Sequence, residues 1–180
     1  MEKYIALLRG INVGGKNKIP MPVLKKIFED ANFSSVKTYI NSGNIIFSSP
    51  MTDKKALIQQ IETLIQDEFQ LNIPVTIVTD TEINDTLKNA PDWWDQADET
   101  IHYAIFLIPP ITTDEVSAAV GEINPEYEQI DFGENIIYWS APRKTFNKAR
   151  WSKIASSKVN NQVTIRNSNT VKKLMTLCQD

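Results

Sequence analysis

Asn44-Ile45-Ile46-Phe47 returns in this chain as Asn135-Ile136-Ile137-Tyr138, and Val75-Thr76-Ile77 returns as Val163-Thr164-Ile165. Tyr4-Ile5-Ala6-Leu7-Leu8 likewise has a counterpart in Tyr103-Ala104-Ile105-Phe106-Leu107. These are apolar runs of strand length, and they keep their order and approximate spacing. A supersecondary plan that occurs twice accounts for them. Function is then to be sought where the two copies differ.

Outward from Asn44, the first copy reads as a strand at Tyr4–Arg9 and a helix from about Met21 to Ala31. A hairpin of Val36–Ile40 and Asn44–Ser48 follows, turned through Asn41-Ser42-Gly43, where Asn and Gly tolerate positive φ. Thr52-Asp53 can cap the next helix, whose Leu57, Ile61, Leu64, Ile65 and Phe69 recur at helical spacing. The β-branched run Ile73–Thr79 closes the copy. This β-α-β-β-α-β order is the split βαβ plan of ferredoxin-like folds.

A short helix near Thr81–Asn89 and a linker, Ala90–Thr100, lead to the second copy. Its strand is Ile101–Ile108, its helix Thr113–Gly121, and its hairpin Gln129–Phe132 with Asn135–Ser140. A helix from about Asn147 to Ser157, the strand Val163–Arg166 and a last helix, Asn169 to Cys178, complete it. The expected fold class is α+β: a tandem repeat of two ferredoxin-like β-α-β-β-α-β units plus a C-terminal helix. The units span residues 1–80 and 101–180, with a connecting helix and linker over 81–100. No low-complexity linker separates them, so close packing is expected, with Trp93 and Trp94 filling the seam.

Composition narrows the setting. A hydrophobic content of 42% with 23% charged residues is that of a soluble globular chain. Tyr4 to Leu8 is too short an apolar stretch for a signal peptide or a membrane span, so no membrane association is expected. Cys178 is the only cysteine, which excludes an intrachain disulfide and a thiolate zinc cluster and points to a reducing cytoplasm. His102, the only histidine, is expected to be structural, and neither metal nor cofactor is expected. The net charge of −3 hides an asymmetry: residues 141–180 carry nine Lys and Arg against one acid, Asp180. Such an end can face an anion or neutralise the acidic remainder.

The copies differ first after the opening strand. One carries Arg9-Gly10-Ile11-Asn12-Val13-Gly14-Gly15-Lys16-Asn17-Lys18, where the other has only Ile108-Pro109-Pro110-Ile111-Thr112. Glycines can turn backbone N–H groups toward a ligand, and Arg9, Lys16 and Lys18 add charge. Gly10 to Lys16 meets the spacing of a phosphate-binding P-loop. Asn17, however, stands where Ser or Thr should hold magnesium, and Pro20 and Pro22 delay the helix. A looser phosphate or carboxylate cradle is the remaining functional reading, beside that of a plain glycine-rich turn.

Two further differences are basic. Arg143-Lys144-Thr145, with Lys148, Arg150 and Lys153, replaces the acidic helix start, where cations oppose the helix dipole unless an anion sits there. Arg166-Asn167 then replaces Val78-Thr79 at the end of the last strand, with Ser168 or Asn169 able to cap the next helix. Arg166 is the leading ligand-contact candidate, and an interdomain ion pair is its structural alternative.

Arg9-Gly10-Ile11-Asn12-Val13-Gly14-Gly15, Ser42-Gly43-Asn44-Ile45-Ile46-Phe47 and Thr164-Ile165-Arg166-Asn167-Ser168-Asn169-Thr170-Val171 resemble the hallmark segments of a bacterial family known only as domain of unknown function family 1697. The resemblance covers the whole chain. It implies the same paired α+β fold and no established activity; Ser168 stands where such proteins often carry a tryptophan. The expected function is binding of a small phosphate-bearing ligand between the repeats, with any reaction unassigned. The candidate ligand residues are Arg9, Gly10, Asn12, Gly14, Gly15, Lys16, Ser42, Asn44, Lys148, Arg166, Asn167 and Asn169. The alternatives are single-stranded RNA, stacked on Tyr4, Phe47, Tyr103, Tyr138 and Trp139, and a protein partner of unknown identity.

Overall fold

Tyr4, Ile5, Ala6, Leu7 and Leu8 are all fully buried in the computed structural model, which describes residues 1–180. They lie in β1 (Glu2–Leu8), which pairs antiparallel with β3 (Asn44–Ser49) on one edge and β4 (Val75–Thr79) on the other. β2 (Ser34–Tyr39) adds outside β3, giving the order β2-β3-β1-β4. The second sheet is built alike, in the order β6-β7-β5-β8 from β5 (Thr100–Leu107), β6 (Gln129–Phe132), β7 (Ile136–Pro142) and β8 (Val163–Asn167). The protein is thus mixed α+β with two four-stranded antiparallel sheets.

By its internal packing the chain divides into two units, Met1–Asp85 with Lys173–Asp180, and Thr86–Lys172. In the first, α1 (Met21–Asp30) buries Leu24 and Phe28, and α2 (Lys54–Phe69) buries Leu57, Ile61 and Ile65. These residues meet Tyr4, Ala6, Leu8, Ile45 and Phe47 in one core, with Phe28, Phe33 and Phe47 in mutual ring contact. Asp53 caps α2 by accepting from Ala56 N at 3.2 Å, which the Thr52-Asp53 pair leads one to expect.

The second unit contains α4 (Thr113–Val120), whose Thr112 and Glu115 form a capping box. The helix α3 (Asp80–Lys88) spans one boundary between the units and α5 (Ser168–Gln179) the other.

The helix expected from Asn147 to Ser157 does not form. In its place stand three 3-10 segments, Arg143–Lys148, Arg150–Ser156 and Asn160–Gln162, broken by extended backbone at Ala149. Tertiary bonding explains the difference. The buried Glu128 carboxylate accepts from the backbone N–H of Trp151 at 3.0 Å and from that of Arg150, at the start of the second segment. Asn124 N at 2.9 Å and Trp139 Nε1 at 3.0 Å complete its partners. The Arg150 guanidinium Nε instead donates to Val120 O, at the last turn of α4, where a cation suits the helix dipole. The anion that a basic helix start calls for is therefore internal.

Candidate functional site

The glycine segment of the first unit is a small locked hairpin. Val13 and Lys16 bridge, Lys16 N donates to Val13 O at 3.0 Å, and Gly14 and Gly15 between them have φ of +59° and +73°. Two successive positive φ values define a type I′ turn, which explains the Gly-Gly pair. Asn12 and Asn17 also adopt positive φ. Asn17 Nδ2 donates to Gly10 O at 2.9 Å, and Asn12 N to Asn17 O at 3.1 Å.

Asn12 is the staple of this hairpin. Its Oδ1 accepts from Ile19 N at 2.8 Å, and its Nδ2 donates to Ile19 O at 3.0 Å and to Asn41 O at 2.9 Å. The last bond ties the glycine hairpin to the turn between β2 and β3. That turn is held in its own right by Asn44, buried, whose Nδ2 donates to Tyr39 O at 2.9 Å and to Ser42 Oγ at 3.2 Å.

Asn12, Gly15 and Asn41 line a concavity of about 350 Å³ together with Lys18, Ile19, Pro20 and Met21. It opens at the start of α1, which has Pro20 at its N-cap, no side-chain cap and no acidic residue in its first turn. Lys16 and Lys18 are exposed and make no ion pair, and no carboxylate lines the hollow. Arg9 is half-buried, and burial lowers its guanidinium from the usual value.

The candidates of the second unit fall differently. Arg166 is buried, its Nη1 donating to Thr164 Oγ1 at 2.8 Å and to Ile165 O at 3.0 Å, and burial pulls its pKa down to about 10. Lys148 lies over the Tyr127 ring, 5.3 Å from its centroid. Asn167 caps α5, its Oδ1 accepting from Thr170 N at 2.8 Å. Asn167 and Asn169 line a second hollow, of about 380 Å³, with His102, Arg143, Asp95 and Lys172 among its walls.

That second hollow carries both signs of charge. Asp95 pairs with Lys172 at 2.6 Å and accepts from Ser168 Oγ at 2.7 Å. Burial works against its ionised form, but the bonds from Lys172 and Ser168 outweigh burial and hold it below the usual carboxylate range. His102 shares a 2.6 Å hydrogen bond between Nδ1 and the buried Ser140 Oγ, and burial lowers its pKa. Trp94 packs inside this unit, donating to Tyr103 O and meeting Tyr138 edge-on. No group of three or more His, Cys, Asp or Glu is placed to hold a metal ion, and no helix is long and apolar enough to cross a membrane.

Sequence reasoning did not single out Asn41, Met21 or Glu128. Only the turn composition around Asn41 gave a local sign of any of them.

Two antiparallel four-stranded sheets, each with a polar hollow beside a helix start, define an α+β protein whose architecture names no reaction. The chain belongs to the family described as protein of unknown function (DUF1697), whose model matches residues 1–138. It is similar in structure to the conserved bacterial protein SP0830 from Streptococcus pneumoniae, with 28% identity over 98% of both chains and a TM-score of 0.87. A comparison with curated proteins finds none similar enough to count as a relative.

Proposed function

We propose that this protein binds a small anion, a phosphate or carboxylate group, in the hollow where the glycine hairpin meets the start of α1. One observation carries the reading: α1 begins without a side-chain cap or an acidic residue, onto a surface lined by Lys18 and by no carboxylate. The first N–H groups of a helix lack intrahelical partners and carry roughly half a positive charge between them. Here Pro22 has no N–H, and Leu24 N bonds to Pro20 O, so Met21 N and Val23 N are the remaining donors of the first turn. The stiff hairpin holds Lys18 at the same hollow at little cost in ordering, with Lys16 exposed on the hairpin itself.

The matching orders of the two sheets support reading each unit as ferredoxin-like and the chain as a tandem duplication, and its single cysteine suits a cytoplasmic setting. The small-anion reading is preferred to RNA because Tyr4, Phe47, Tyr138 and Trp139 are buried, while Tyr103 stacks on Trp139. Those rings do not offer a base-stacking face.

The test is thermal unfolding with inorganic phosphate, sugar phosphates and nucleotides. A ligand at 100 times its Kd adds about 2.7 kcal/mol of stability. The gain should vanish in Lys18→Glu while the ligand-free stability stays near that of the wild type. A flat response across the panel would remove this reading.

A further inference from the structure

We infer that the tips of the two adjoining turns, Val13 and Ile40, form a docking surface for a partner protein's peptide segment in which acidic and aliphatic residues alternate. This rests on the anion reading, since the hollow beside Lys18 would seat a carboxylate of that segment. Val13 is 64% exposed and Ile40 48% exposed, so both leave a large part of a β-branched residue in water. Ile40 does so with φ of +50°, a left-handed conformation that burdens a β-branched residue more than almost any other. Asn or Gly would sit there without strain, and Ile40 still leaves about half of its surface in water. An outlier of this kind at an exposed turn points to recognition.

The two tips are held as one surface. Asn12 Nδ2, inside the glycine hairpin, donates to Asn41 O, next to Ile40. Neither Val13 nor Ile40 lines the hollow, so a small anion bound there would leave both side chains in water. A peptide would cover them.

Charge selects the segment. Between Lys3 and Phe28, and again between Ala31 and Thr52, the chain has no Asp or Glu, while Lys16 and Lys18 flank the tips unpaired. An aliphatic segment bearing carboxylates complements this surface in both respects. Val13 and Ile40 are aliphatic, so they give nucleic-acid bases no ring to stack on.

The experiment is binding of the full chain to immobilised 12-residue peptides alternating Glu with Leu, Ile or Val. Controls replace each Glu by Lys, or each aliphatic residue by Ser. The alternating acidic peptides should be retained and both controls lost. Val13→Ser and Ile40→Asn should each weaken retention at least tenfold, and Ile40→Asn should at the same time unfold at a higher temperature because its strain is gone. Phosphate-induced stabilisation should persist in Ile40→Asn and vanish in Lys18→Glu. Equal retention of all peptides, or unchanged retention by Ile40→Asn, overturns the docking surface. If phosphate still stabilises the protein in that event, the anion reading stands without it. If phosphate and peptides both fail, both fall. Retention of single-stranded RNA in place of peptide, or self-association abolished by Ile40→Asn, assigns the surface to another occupant and overturns the inference.

Discussion

Asn12 and Asn41 are joined by a hydrogen bond of 2.9 Å from the side-chain amide of one to the backbone carbonyl of the other, across two turns far apart in sequence. With the two bonds from Asn12 to Ile19, it makes one side chain tie the glycine segment both to Ile19, ahead of α1, and to the β2–β3 turn. Asn12→Ala should therefore cost about 1–3 kcal/mol, since three net hydrogen bonds are lost from a half-buried site. Asn12→Gly keeps the positive φ and loses only the bonds, so urea unfolding of the two variants separates the contributions. Wild-type stability in both would mean that the staple does not hold the loop.

Gly43 and Gly15 should respond very differently to alanine. A Cβ on Gly43 would meet Leu8 Cβ and Ile11 Cδ1 at 2.8 Å, at φ of +93°, whereas one on Gly15 meets open space at φ of +73°. Gly15→Ala should cost about 1–2 kcal/mol, for backbone conformation alone. Gly43→Ala adds overpacking of about 1–3 kcal/mol. Denaturant midpoints that rank the two the other way would contradict the close approach of the turn to β1.

Glu128→Gln should be far more damaging than an isosteric change suggests. The carboxylate accepts four N–H groups, and an amide would turn its own N–H2 toward two of them. Because bonds to a charged acceptor are worth more than neutral ones, a loss of about 3 kcal/mol is expected. Trp139 and Trp151 both bond to Glu128, so tryptophan emission during urea unfolding reports the change directly. A midpoint like that of the wild type would show the carboxylate to be dispensable.

Arg166→Ala should destabilise the protein without any ligand, by about 2 kcal/mol. Its guanidinium is buried and bonded to Thr164 and Ile165. Lysine should not rescue it, because an ammonium lacks the planar fork. A variant with intact stability and altered phosphate binding would return Arg166 to the ligand-contact role that the sequence favours.

Acid should weaken the second unit in the window of His102. Burial lowers its folded pKa, so the unfolded chain binds the proton more readily. The stability of the neutral form is thus fully present above the ordinary histidine value of about 6.5, and is lost as pH falls below it toward the folded value. Asp95, whose folded pKa is also lowered, keeps its contribution above the ordinary carboxylate value of about 3.9 and loses it in stronger acid. His102→Gln should flatten the thermal-unfolding profile between pH 7 and pH 5. An unchanged slope would mean that His102 is not the group responsible.

Much of the framework was legible in the sequence. The paired motifs locate β3 and β7, β4 and β8, and the opening strands β1 and β5; the helical spacing from Leu57 to Phe69 locates α2. Residues 147–157 have a composition compatible with a helix, but Glu128, some way off in sequence, takes the backbone N–H groups of Arg150 and Trp151, and 3-10 segments form there instead. The glycine segment was legible as a turn rich in positive φ, but its stiffness comes from Asn12 reaching Asn41.

The sequence by itself determined the strands, the larger helices and their repetition, because apolar periodicity and turn chemistry act over a few neighbouring residues. Tertiary structure alone decided which polar groups are already used within the fold. Arg166 and Asn12 look alike in a sequence, as groups able to meet an anion. In the structure Arg166 is buried against Thr164 and Ile165, Asn12 is committed to Ile19 and Asn41, and Lys18 faces an open hollow without an ion-pair partner. A hydrogen bond takes its partner from wherever the folded chain brings one, and that proximity is absent from local sequence.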